Sequence, residues 1–116
     1  MFGLPDDFDA SFFVGAVLLQ ICIGFHEVVL RFDRDVQLTF EGNVRVSAGA
    51  EFETFERPPD AGAALVAALQ QRVSSASGLK DGTLSLEFDT VSLVVLDSEE
   101  RYESYQIQHG DEVIVV

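Results

Sequence analysis

The sequence predicts an α+β fold in which a mainly antiparallel, twisted sheet or partly open barrel of about seven or eight strands packs against one central helix. Two observations carry this prediction. Apolar and polar residues alternate along most of the chain, which is the pattern of half-buried strands. One stretch, about residues 61–73, instead repeats its apolar residues every four positions, as a helix does. With 116 residues and no glycine- or serine-rich linker, residues 1–116 are expected to form a single domain.

The first half of the chain predicts an antiparallel meander with one buried face. Polar turns at residues 33–35 and 41–43 separate three alternating segments. Strand residues two apart point to the same face, so each segment offers its own inward set. The inward residues are Val28, Leu30 and Phe32, then Val36, Leu38 and Phe40, then Val44 and Val46.

The helix is expected directly after the dipeptide Pro58-Pro59. Asp60 is the predicted N-cap, because its carboxylate can accept hydrogen bonds from the first-turn amides. Leu65, Leu69 and Val73 form the apolar stripe of the helix. Alanines beside this stripe would let the helix lie close against a sheet.

The alternating pattern returns after the helix. Two segments carry inward residues at Leu84, Leu86 and Phe88 and at Val91, Leu93 and Val95. The chain ends in a predicted hairpin, residues 105–109 and 112–116, joined by Gly110-Asp111. Tyr105 and Ile107 alternate within it and are expected to face the core.

Two segments resemble each other and suggest an internal duplication. LRFDRDVQLTF and LEFDTVSLVV align as L-x-F-D followed by an alternating strand, if one residue is deleted from the second turn. The predicted repeats cover about residues 17–47 and 73–97, joined by the helix. The alternative is that any two amphipathic hairpins of this length look alike.

The net charge of −13, from 20 acidic and 7 basic side chains, limits the partners that the chain can take. Nucleic acids and anionic membranes carry phosphates and would be repelled, whereas a basic protein would be attracted. The alternative is that the charge only keeps the protein soluble.

Three features favour a cytoplasmic location. The acidic N-terminus is unlike a secretory signal. The apolar run at residues 11–25 is shorter than the roughly 20 residues of a membrane span. The lone Cys22 cannot form an internal disulfide, and we expect it to be reduced, buried and inert.

No catalytic, metal-binding or cofactor motif is recognisable in the sequence. His26 and Glu27 would point to opposite faces of a strand, and His109 lies beside a turn. The acidic residues 6, 7 and 9 lack the pattern of a calcium loop and would equally suit a first helical turn. We therefore expect no enzyme activity, no cofactor and no metal.

A dense polar stretch before the last hairpin is the candidate partner-binding site. Tyrosine and arginine are common interface anchors, and acidic neighbours can steer a basic partner. The candidate residues are Asp97, Glu99, Glu100, Arg101, Tyr102 and Glu103. The structural alternative is that Tyr102 only covers the edge of the sheet.

Two other functions stay open. A small-ligand binder or enzyme would place Tyr102, Glu103, His109 and Asp111 around one cleft. A homo-oligomer, such as a homodimer, would instead pair exposed strand edges, for example through residues 113–116.

The order of these motifs resembles a family of small uncharacterised bacterial proteins of unknown function. The resemblance covers Gln20, Ile23-Gly24, 28–33, 81–89, the Y-E-S-Y segment from Tyr102 to Ile107, and 110–116. Such proteins look like the immunity proteins that neutralise bacterial polymorphic toxins. The resemblance therefore implies a toxin domain as the partner, and it implies no catalytic residue.

Overall fold

The structure is a computed structural model that describes residue 4 and residues 8–49, 51–96 and 105–116. It confirms the α+β class with antiparallel sheets and one α-helix. The strands are β1 (Leu18–Ile23), β2 (Val28–Phe32), β3 (Val36–Phe40), β4 (Val44–Ser47), β5 (Glu53–Phe55), β6 (Ser75–Gly78), β7 (Leu84–Glu87), β8 (Ser92–Val95), β9 (Tyr105–His109) and β10 (Glu112–Val115). The helix α1 spans Pro58–Ala64, and short 3₁₀ helices span Ala10–Phe13 and Val66–Ala68.

The ten described strands form two sheets and no closed barrel. The first sheet has the order β1-β2-β3-β9-β10 and the second has the order β5-β4-β8-β7-β6. The sequence prediction of about seven or eight strands missed β1, β5 and β6. Strand β1 lies inside a nearly continuous apolar run, β5 has three residues, and β6 reads SASG, so none shows clear alternation.

Each of the two sheets combines strands from both halves of the chain. Each half contributes a three-strand meander to one sheet and a two-strand hairpin to the other. Strand β9 therefore pairs with β3, and β4 pairs with β8, all antiparallel. The duplication predicted for residues 17–47 and 73–97 stays a prediction, because strand connectivity alone does not show a common origin.

A single core lies between the two sheets. The inward residues predicted from alternation are buried in every described strand that the pattern identified. Tyr105 and Ile107 are fully buried, which confirms that they face inward. The Tyr105 hydroxyl donates a 2.6 Å hydrogen bond to the carbonyl of Gly82. Because Gly82 lies in the turn before β7, this bond joins the two sheets.

The two chain segments that lead into β1 and into β6, the first strands of the two meanders, are hydrogen-bonded to each other. The amide of Leu18 donates to the carbonyl of Gln71 at 3.1 Å, and the amide of Val73 donates to that of Ala16 at 2.8 Å. The Arg72 guanidinium adds a 2.8 Å bond to the Gly15 carbonyl. The two sheets are thus connected by backbone pairing as well as by apolar packing.

The helix begins and ends earlier than predicted. Its N-cap is Arg57 and not Asp60, and the two prolines occupy the first helical positions. Proline suits these positions because a first-turn amide has no partner within the helix. Beyond the short 3₁₀ helix, Gln70 takes a left-handed conformation with φ of 68°, and the chain turns to pair with residues 15–18. This pairing is non-local, so the four-residue period could not reveal it.

None of the helices among the described residues is long and apolar enough to cross a membrane.

Candidate functional site on the outer face of the first sheet

Strand register brings ten outward-facing residues together on the first sheet. One cross-strand row contains Gln20, Arg31, Gln37, Gln108 and Val113. The neighbouring row contains Cys22, Val29, Thr39, Gln106 and Val115. We call these ten residues the amide face, because four of them are glutamines.

The amide face carries no acidic residue, although the chain has 20 of them. Its one charge is the guanidinium of Arg31. Acidic residues lie instead at the two ends of the strands. Glu27 precedes β2 and Glu41 follows β3 at one end, while turns at the other end carry Asp33, Asp35 and Asp111. The result is a nearly uncharged centre between two acidic rims.

The outward positions of the second sheet have different chemistry. Serine and threonine dominate them, with one arginine, one glutamate and one valine. The residues are Ser47, Ser75, Ser77, Ser85, Ser92, Thr54, Arg45, Glu87 and Val94. Short hydroxyl side chains offer little contact area, and serine is depleted in protein interfaces. The amide face has the longer side chains and the larger apolar content of the two.

A cleft of about 220 Å³ opens on the amide face beside Arg31. It is lined by Arg31, Phe32, Asp35, Val36, Gln37 and Gln108. Among the described residues, the Arg31 side chain makes no hydrogen bond or ion pair. Its guanidinium therefore has no partner in that part of the chain and is available to a ligand.

The turn beside this cleft has an unusual backbone. Arg34 and Asp35 both adopt left-handed conformations, with φ of 63° and 62°. Four hydrogen bonds hold the turn. The Asp33 amide donates to the Val17 carbonyl at 3.0 Å, and the Asp33 carboxylate accepts from the Val17 amide at 2.9 Å. The Arg34 guanidinium donates to the Val14 carbonyl at 3.2 Å, and the Gly110 amide donates to the Asp35 carbonyl at 3.0 Å.

The model of a family of unknown function, DUF6188, matches residues 13–116 of the chain. The protein belongs to this family. No curated protein and no solved structure matches the chain. The family match begins within the first 3₁₀ helix and includes all ten strands, so the amide face lies inside the part of the chain that the family shares.

The partner-binding residues predicted from the sequence lie outside the described residues. This holds for Asp97, Glu99, Glu100, Arg101, Tyr102 and Glu103, so their role stays a prediction. Of the alternative ligand site, Tyr102 and Glu103 also lie outside, whereas His109 and Asp111 are described.

The structure places His109 on the inner side of the sheet and not on the amide face. Its ring stacks on Phe12 with centroids 4.3 Å apart and planes 5° apart. Asp111 lies in the neighbouring turn, after Gly110. His109 thus has a packing contact that does not depend on any ligand.

Cys22 differs from its prediction. It was expected to be buried, but it lies half-buried on the amide face opposite Val29. The reason is that β1 is an edge strand, so its outward residues are covered from one side only.

Within the described residues, no three histidine, cysteine, aspartate or glutamate side chains are close enough to hold a metal ion. Two turn carboxylates have a lowered pKa. The Ser11 amide donates to Asp9, and the Thr83 amide donates to Asp81, and each bond favours the charged form of the carboxylate. These groups keep their negative charge to lower pH than an ordinary aspartate.

Sequence reasoning did not identify the amide face. Gln37 and Gln106 each lie between two buried residues, which is also the ordinary pattern of a solvated strand face. The available signal was that glutamines, which are long and uncharged, occupy outward positions in three different strands (β1, β3 and β9) of a strongly acidic chain. Only the register shows that they are neighbours.

Proposed function

We propose that the chain is a non-catalytic protein-binding module whose amide face holds a basic protein. In its most specific form, it is a bacterial cytoplasmic immunity protein that neutralises a toxin domain. The observation that carries the proposal is the nearly uncharged face between acidic rims in a chain of net charge −13.

The anatomy of protein interfaces supports this proposal. Their buried centres are depleted in charged residues, and their rims are polar. Burying a carboxylate without a partner costs roughly several kcal/mol. A binding surface therefore benefits from having no carboxylate at its centre. The amide face meets this condition, since Val29, Thr39 and Gln106 lie in its middle.

The acidic rims support a basic partner in particular. Charges at the rim act chiefly on the association rate, and salt screens them. Glu27 and Glu41 at one end and Asp35 and Asp111 at the other would attract a positively charged protein from either direction. The resemblance to immunity proteins points to the same type of partner.

The binding test uses proteins encoded by the genes next to that of this chain. Calorimetric titration at two salt concentrations measures the affinity. We expect binding that weakens about tenfold or more between 50 and 300 mM salt, because rim charges are screened over that range. Absence of binding, or binding that salt does not change, would contradict the electrostatic proposal.

Two matched variants locate the binding surface. Thr39→Lys places a cation at the centre of the amide face, on the middle strand of the first sheet. Ser92→Lys makes the corresponding change on the middle strand of the second sheet, and both positions are half-buried. We expect Thr39→Lys to weaken partner binding about tenfold or more and Ser92→Lys to leave it unchanged. Equal effects would show that the amide face is not the surface used.

A third variant tests the polar stretch that the sequence predicts as the partner-binding site. Replacing Glu99 and Glu100 by glutamine removes two charges and leaves the described sheets unchanged. If these two charges steer the partner, the association rate falls and the dissociation rate stays the same. If neither rate changes, the charges of Glu99 and Glu100 have no part in binding.

A further inference from the structure

We propose that the cleft beside Arg31 binds a carboxylate group that has a positively charged group close to it. Such a pair of charges occurs in a free amino acid and also where a basic protein presents a carboxylate among its cations. The inference rests on the proposed function only for the second of these sources.

Arg31 supplies the carboxylate contact. A guanidinium presents two parallel donors that match the two oxygens of a carboxylate, and this geometry makes the pair strong and directional. Arg31 is exposed and has no partner among the described residues. Its cross-strand neighbours Gln20 and Gln37 are uncharged, so they do not compete for the guanidinium as a carboxylate would.

Two glutamines in the cleft add hydrogen-bonding groups. Gln37 and Gln108 are directly opposed on β3 and β9 and both line the cleft. Each side-chain amide has two donor hydrogens and one acceptor oxygen. They can therefore donate to a carboxylate bound at Arg31 or pair with an amide group of the ligand.

Asp35 and the overall field select against a simple anion. Asp35 lines the same cleft, and the chain carries a net charge of −13. Both oppose the approach of a lone negative charge. A cation close to the bound carboxylate would be attracted by Asp35 and would offset this repulsion.

The volume of the cleft limits the ligand. Pockets for drug-sized ligands typically measure about 300–1,000 Å³. At about 220 Å³, this cleft is smaller and suits a single amino acid or one side chain of a partner.

The turn that carries Asp35 differs from its counterpart in the second half of the chain. The sequence LRFDRDV has one residue more than LEFDTV, and the extra length accommodates the two left-handed residues Arg34 and Asp35. Left-handed conformations of residues other than glycine cost on the order of 1–3 kcal/mol each and are concentrated at functional sites. The second turn has no such pair among its described residues. The strained turn is therefore specific to the sheet that has the cleft.

The first experiment uses L-glutamine as a probe and follows side-chain amide signals by NMR. N-acetyl-L-glutamine lacks the positive charge, and L-glutaminamide lacks the carboxylate, so the three compounds separate the two requirements. We expect L-glutamine to shift the Gln37 and Gln108 signals in a saturable way. Each derivative should bind about tenfold more weakly, because each loses one charge-assisted contact.

A matched pair of variants assigns the effect to Arg31. Arg31→Gln should abolish the shifts, whereas Arg45→Gln should retain them. Arg45 is a suitable control because it is also exposed and lies on the outer face of the second sheet, beside Thr54 and Val94. Equal shifts in the wild-type protein and Arg31→Gln would overturn the free-ligand form of the proposal.

The partner provides the second source of the carboxylate. If the ligand belongs to the partner, Arg31→Gln weakens partner binding about tenfold and Arg45→Gln does not. The proposal is overturned when neither the probes nor the partner affinity responds to Arg31→Gln. That result would leave the proposed function standing wherever Thr39→Lys still disrupts binding, since Thr39 does not line this cleft.

Discussion

The two sheets share one pattern of strand connections and have similar inner faces, yet their outer faces differ. Inward residues on both sheets are leucine, valine and aromatic side chains that meet in one core. Outward residues on the first sheet are mostly glutamines and valines with one arginine, whereas those on the second sheet are mostly serines. Packing density constrains the inner faces, because a core tolerates few changes in volume. Packing does not constrain the outer faces in this way. The difference between the two outer faces therefore says more about function than the similarity of the inner faces does.

The largest expected effect on stability comes from substitutions in the core, which test whether the inner faces of the two sheets are equally well packed. Leu38 on β3 and Leu93 on β8 occupy the middle strands of the two sheets, and both are fully buried. Replacing either by alanine should lower the free energy of unfolding by about 3 kcal/mol, because the lost apolar contacts leave a cavity. Urea denaturation measures this change. A loss below about 1 kcal/mol in only one variant would show that the two inner faces are packed differently.

The next prediction concerns the elements that cover the sheet edges. Helix α1 contacts Ile23 of β1 through Gly62, whereas β6 is covered by Leu4 and Phe8, which approach Gly78. A Cβ at position 78 would lie 2.7 Å from Leu4 Cδ1 and 2.9 Å from the Phe8 ring. Gly78→Ala should therefore destabilise the protein by about 1–3 kcal/mol through overpacking.

Gly49→Ala is the matched control, because a Cβ there has no atom within 4 Å among those described. We expect its unfolding midpoint in urea to stay near that of the wild-type protein. If Gly78→Ala behaves in the same way, Leu4 and Phe8 do not form a fixed cover on β6.

A smaller effect is expected at the hydrogen bond that joins the sheets. Tyr105→Phe removes the bond from the Tyr105 hydroxyl to the Gly82 carbonyl and leaves that buried acceptor without this donor. The free energy of unfolding should fall by about 1–2 kcal/mol. Thermal unfolding followed by circular dichroism provides the measurement. An unchanged melting temperature would mean that this hydrogen bond contributes nothing to the stability of the protein.

The smallest effect should have the opposite sign. Asp35→Gly replaces a left-handed aspartate, with φ of 62°, by the residue that adopts this conformation without strain. Stability should rise by about 0.5–1 kcal/mol, while the acidic group of the cleft is lost. Asp35→Asn removes the charge and keeps a side chain at this φ, so it separates the two effects. A loss of stability in Asp35→Gly would contradict this prediction. It would show that a contact of the Asp35 side chain stabilises the protein by more than the substitution gains from relieving the backbone strain.

Alternation in the sequence was sufficient to identify most strands and their buried sides. Leu38, Leu86 and Ile107 illustrate this, since each lies between polar residues and each is fully buried. The sequence predicted the helix at the correct place in the order of elements, but it predicted the wrong start and end. Leu69 and Val73 continue its four-residue period, yet hydrogen bonds from residues 70–73 to residues 16–18 end it earlier. In this segment, hydrogen bonds to a distant part of the chain outweigh the local preference for a helix.

The sequence by itself determined which residues of the alternating strands are buried and how acidic the chain is, because both follow from side-chain chemistry and a local period of two. The tertiary structure alone decided that β9 pairs with β3 and β4 with β8. Those pairings join segments far apart in the chain, and local patterns contain no information about them. The pairing of β9 with β3 brings Gln108 beside Gln37 and its neighbour Arg31, and this placement turns ordinary outward residues of separate strands into one candidate binding surface.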